Sequence, residues 1–112
     1  MKIYHNPRCR KSRETLKLLE ENSSDIEIIE YLKTPPSYAE LKDVLMKLNM
    51  PASGLIRKSE AIFKEKFKGK EFSEEEWIQV MVENPKLIER PIVVRNNKAV
   101  IGRPPENVEQ LF

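Results

Sequence analysis

Cys9 is the residue of this chain whose type and position could supply a nucleophile. It stands where a turn signal, Asn6-Pro7, gives way to the first turn of a helix pattern. The unpaired N–H groups at a helix start carry partial positive charge and favour a thiolate. Arg8, Arg10, Lys11 and Arg13 place four cations within four residues of the sulfur. Each is expected to lower the cost of ionising it. An ordinary thiol with a pKa of about 8.5 is only about 3% thiolate at pH 7, so such activation decides reactivity. The activation would be electrostatic, with no paired base.

Ser12 follows one turn along the same helix face. Its hydroxyl can donate to the thiolate without adding charge, or it is simply a residue of the first turn. Proteins with Cys-x-x-Cys resolve a mixed disulfide with the second thiol. Ser12 has no such capacity, so resolution here would require another molecule. His5, the only histidine, closes a strand pattern four residues before Cys9. A satisfied structural histidine is the simpler reading of it. Lys11 and Arg13 equally suit a solvated helix face, and a lone cysteine can be a small buried hydrophobe. The helix-start position and the four cations weigh toward reactivity.

The elements that must hold this segment follow from local pattern. Residues 2–5 (KIYH) read as a strand, 9–21 as a helix with Leu16 and Leu19 on one face, and 25–32 (DIEIIEYL) as a second strand. Strand, helix and strand within about thirty residues make a βαβ unit with parallel strands. Ser37 with Glu40 forms a capping box opening a helix with Leu41, Val44, Leu45 and Leu48 on one face, ended by Pro51. Ser73 with Glu76 opens another, carrying Trp77, Ile78 and Met81 and stopping before Pro85. Between them lies a basic stretch, read as helical, with Arg57-Lys58, Ile62, Phe63 and Phe67. Residues 91–94 and 99–101 read as strands around Asn96-Asn97, a pair suited to a type I′ hairpin turn. Residues 106–112 read as a closing helix. The expected fold is α/β, a four-stranded mixed sheet flanked by helices.

Composition removes several classes of function. A chain of 112 residues fits one domain of ordinary stability, roughly 6–17 kcal/mol. Twenty Lys and Arg against 18 Asp and Glu leave a net charge of +2, no reason to expect nucleic acid as partner. One cysteine permits no internal disulfide and no zinc site of four cysteines or of two cysteines and two histidines. No metal is expected. There is no apolar run of about 18 residues and no signal-peptide stretch at the N-terminus. The reading is a soluble, cytoplasmic monomer whose lone thiol stays reduced.

His5-Asn6-Pro7, then Cys9-x-x-Ser12-Arg13 and Thr15-Leu16, resembles the active-site segment of the glutaredoxin-coupled arsenate reductases. The resemblance continues through Tyr31-Leu32-x-Thr34-Pro35-Pro36, Leu55-Ile56-Arg57-Lys58, Arg90-Pro91-Ile92-Val93-Val94 and Arg103-Pro104, nearly the whole chain in order. It implies a thioredoxin-like fold over residues 1–112, with a helical insertion at about 37–88 between βαβ and ββα parts. It implies Cys9 as nucleophile, an oxyanion cradle of Arg57, Arg90 and Arg103, and supporting roles for His5, Ser12, Arg13 and Pro91, the last as a cis-proline. It also implies arsenate as substrate, glutathione as co-substrate with no bound cofactor, and glutaredoxin as partner. Three guanidinium forks suit a tetrahedral anion, because each can give paired charge-assisted hydrogen bonds.

Two positions depart from that family's pattern. The well-studied arsenate reductases carry Gly-Thr where this chain has Arg10-Lys11, and Pro-Ser where it has Pro104-Pro105. Losing the Gly removes an open backbone approach to an oxyanion, while the added cations attract one. Two alternatives therefore stand beside arsenate reduction. One is a glutathione-dependent thiol/disulfide reductase with another substrate. The other is an RNA polymerase-binding regulator resembling Spx, against which Ser12 in place of a second cysteine counts.

Overall fold

Ile28, Ile3, Val93 and Val100 stand side by side across the centre of a four-stranded sheet. In this computed structural model, which describes all 112 residues, the strands are β1 (Lys2–His5), β2 (Glu27–Glu30), β3 (Ile92–Arg95) and β4 (Lys98–Ile101). Their order is β2-β1-β3-β4, with β1 and β2 parallel and the other two pairs antiparallel. The expected mixed sheet is present, and so is the βαβ unit, whose crossover is helix α1 (Arg10–Asn22).

The chain divides into two compact units, one of Met1–Thr34 with Arg90–Phe112 and one of Pro35–Glu89. The first holds the sheet. Its core joins Ile3, Val93 and Val100 to Leu19 of α1 and to Val108 and Leu111 near the C-terminus, with Leu16 and Ile26 at the margin. Burying a Leu, Ile or Val side chain contributes about 1.5–3 kcal/mol, so this cluster ties helix, sheet and tail together.

Three expectations in this unit are corrected. The second strand spans only Glu27–Glu30, because the Lys33 and Thr34 amides both donate to the Glu30 carbonyl and turn the chain. The closing segment is a 3-10 helix, Pro105–Leu111, not an α-helix. Pro105, Val108 and Leu111 are its buried residues, and a spacing of three puts them on one face of a helix with three residues per turn. In the hairpin, Asn96 alone takes a positive φ, 54°, so the turn lacks the second left-handed residue of type I′.

The second unit carries α2 (Tyr38–Leu48), α3 (Ala61–Lys66) and α4 (Glu74–Glu83). Both expected capping boxes form, Ser37 with Glu40 and Ser73 with Glu76. Helix α2 ends earlier than Pro51, at Asn49, whose left-handed φ of 57° closes the last turn onto the Leu45 and Met46 carbonyls. Of its expected apolar face, Leu41, Val44 and Leu45 are buried and Leu48 is only partly so. The basic stretch breaks into a 3-10 turn (Ala52–Gly54), a bridge between Ile56 and Ile88, and the six-residue α3. The rings of Phe63, Phe67, Phe72 and Trp77 pack together, Phe72 edge-on to Trp77 at 4.8 Å. Glu74 accepts the Ala52 amide with both carboxylate oxygens, at 3.0 and 2.7 Å. No helix is long and apolar enough to cross a membrane.

Candidate active site

The turn that ends β1 is held shut before the cysteine is reached. The Cys9 amide donates to the Asn6 carbonyl at 3.0 Å, and the Arg8 amide to the Asn6 side-chain oxygen at 3.0 Å. Arg13 reaches back from α1 to the Pro7 carbonyl at 3.0 Å. Cys9 itself is the N-cap of α1, in extended conformation, and its carbonyl accepts the Arg13 amide at 3.0 Å. It is a free, largely buried cysteine.

Arg103 brings the first distant charge. Its Nη1 lies 3.5 Å from the Cys9 Sγ and 3.3 Å from the Arg90 carbonyl oxygen. The peptides Arg90–Pro91 and Arg103–Pro104 are both cis. The first places Pro91 in the geometry the resemblance implies, and the second was not anticipated. Burial pushes the Cys9 thiol up; the Ser12 amide, the Arg103 hydrogen bond and the charges of Arg90 and Arg103 outweigh it and hold the thiol below its ordinary pKa. The Cys9 side chain makes no cap bond of ordinary geometry, yet the Ser12 amide directed at the sulfur favours the ionised form.

The source of activation therefore differs from the sequence expectation. Arg8, Arg10, Lys11 and Arg13 are not what lowers the thiol. Arg10 pairs with Glu14 at 3.0 Å and Lys11 with the same carboxylate at 3.9 Å, one turn along the exposed side of α1. Arg13 is spent on the Pro7 carbonyl. Arg8, Arg10, Lys11 and Arg13 are all exposed, and cations exposed to water are screened.

The Ser12 hydroxyl is also placed differently. It lies 2.7 Å from the His5 Nδ1 and accepts the Asn6 amide at 3.0 Å, so it braces the turn and leaves the sulfur to its own backbone N–H. His5 is 6% exposed and Ser12 fully buried, so the His5 ring finds its hydrogen-bond partner inside the fold. Burial, and next the Arg13 charge, hold the His5 pKa below its ordinary value against the opposing pull of Glu30 and Glu20.

Arg57 belongs to the helical unit. There its Nη1 meets Glu60 at 3.0 Å, its Nε stands 4.0 Å from Glu89, and its amide donates to the Leu87 carbonyl at 2.8 Å.

Sequence reasoning gave no part in the site to Thr15, named only within the motif, or to Gly102. Thr15 is fully buried, and its hydroxyl reaches the Lys11 carbonyl at 2.8 Å and the Gly102 carbonyl at 3.1 Å. A Cβ at Gly102 would lie 2.7 Å from the Thr15 Oγ1 and 3.0 Å from the Pro91 Cγ. A β-branched hydroxyl inside a helix is the signal that could have marked this close approach.

The chain is similar to known proteins along nearly its whole length. The sequence pattern of the ArsC family matches residues 4–111. The uncharacterized protein YfgD of Escherichia coli is 55% identical over 99% of this chain and 95% of its own. The arsenate reductase of Neisseria meningitidis serogroup A is 43% identical over 100% of this chain and 97% of its own. Among solved structures, the arsenate reductase from Vibrio cholerae superposes with a TM-score of 0.94 at 45% identity, covering 100% of this chain and 98% of that one.

Proposed function

Since this chain belongs to the ArsC family and has its thioredoxin-like fold, we propose that it is an arsenate reductase with Cys9 as its nucleophile. The Cys9 thiolate attacks As(V), a sulfur–arsenic bond forms, and hydroxide leaves and is protonated to water. Glutathione then attacks the Cys9 sulfur. The electron pair of the sulfur–arsenic bond stays on arsenic, which departs as arsenite, and the two thiols are left as a mixed disulfide. Glutaredoxin attacks the glutathione sulfur of that disulfide and frees Cys9. The absence of a second cysteine at position 12 is consistent with resolution by an external thiol.

The observation that carries this reading is the Arg103 guanidinium 3.5 Å from a cysteine at a helix start, with the thiol held below its ordinary pKa. Arg90 and Arg103 would bind the anion's oxygens and offset the negative charge that grows in the attack. Arg57 is assigned to the same cradle by family resemblance alone. The test is arsenate-dependent NADPH oxidation with glutathione, glutaredoxin and glutathione reductase, wild type against Cys9→Ser. Turnover lost in the variant, with the fold retained, is the expected result. No turnover by the wild type, with Cys9 still alkylating fast near neutral pH, would keep the thiol site and discard arsenate as its substrate.

A further inference from the structure

Three consecutive carbonyls at the end of β4 are each held by a side chain. Thr15 donates its hydroxyl hydrogen toward the Gly102 carbonyl at 3.1 Å, sharing it with the Lys11 carbonyl. The Asn107 side-chain amide spans the other two, reaching the Ile101 and Arg103 carbonyls, both at 3.1 Å. An amide NH2 has two hydrogens, and here each has its own acceptor. The Gly102 amide meanwhile donates to the Pro91 carbonyl at 2.9 Å. The backbone on either side of Gly102 is thus fixed from both directions, and Arg103 leaves it toward the Cys9 sulfur.

We propose that Asn107 is a positioning residue that aims the Arg103 guanidinium at Cys9. Both of its amide hydrogens go to backbone carbonyls. It fixes the φ and ψ from which a long, otherwise mobile side chain starts, so less rotamer freedom is lost when the guanidinium meets the thiolate. The charged groups acting on Cys9 are Arg90 and Arg103, with the Ser12 amide beside them. Asn107 carries no charge, so it adds no field of its own at the sulfur. The inference rests on Cys9 being the nucleophile and on nothing about which oxyanion it attacks.

The experiment is the pH–rate profile of Cys9 alkylation by iodoacetamide, which needs no substrate. For Asn107→Ala the rate at about pH 6 should fall about three- to tenfold while the high-pH plateau stays near wild type. Asn107→Leu, which keeps the volume and removes the donors, reads the same quantity should the alanine variant unfold. In an Arg103→Ala background, Asn107→Ala should add nothing, because the path from one to the other is already cut. Profiles that superpose on a fast wild type would overturn the proposal, and so would a further slowing in the Arg103→Ala background. A wild type that alkylates slowly near neutral pH would remove the nucleophile reading, and this inference with it.

Discussion

Arg103 and Cys9 are separated by 94 positions in sequence and by 3.5 Å between Nη1 and Sγ. The same nitrogen holds the Arg90 carbonyl at 3.3 Å, so one guanidinium ties the residue before Pro91 to the cysteine at the start of α1. Arg103→Ala should move the thiol toward its ordinary pKa and slow alkylation at about pH 6 by about tenfold. A rate profile identical to wild type would show that the contact does not ionise the sulfur.

His5 gives the fold a pH dependence with a definite sign. Its pKa is lowered in the folded chain, chiefly by burial. As pH falls through the ordinary histidine range, the unfolded chain takes up a proton that the folded chain refuses. Stability should therefore drop with acidification until the folded pKa is passed. Urea unfolding between about pH 7 and 5 should show a flatter dependence in His5→Gln than in wild type. Equal slopes would place the proton uptake elsewhere.

Gly102→Ala should destabilise the protein by about 1–3 kcal/mol, because the added methyl meets Thr15 and Pro91. Thr15→Ala removes the two atoms nearest to it, Oγ1 at 2.7 Å and Cγ2 at 2.8 Å. The double variant should lose less than the sum of the singles. Denaturant midpoints that add would deny the clash.

Lysine at Arg57, Arg90 or Arg103 keeps the charge and loses the planar fork. Under the proposed function each should lower kcat/KM for arsenate by about tenfold or more. Steady-state kinetics decide it, and normal turnover by all three variants would refute the arginine cradle.

Local chemistry was legible residue by residue. The first strand was read with its observed bounds, Lys2–His5, and Ser37 and Ser73 cap their helices through Glu40 and Glu76 as the spacing requires. The two caps are settled by neighbours within four residues, a distance over which sequence order and spatial order coincide. The closing helix is legible too, and the three-residue spacing of Pro105, Val108 and Leu111 suits its 3-10 form.

The chain's own order of residues thus determined a lone cysteine at a helix start, a mixed sheet beside it and the absence of a second thiol. Tertiary structure alone decided which cation stands beside that cysteine. The neighbouring cations Arg10 and Lys11 are turned aside to Glu14, while Arg103 reaches the sulfur. The Ser12 hydroxyl likewise goes to His5. Helix geometry points the near cations outward, and the pairing of β1 with β3 and of β3 with β4 carries the distant arginine in. Electrostatic influence follows distance and burial rather than position along the chain.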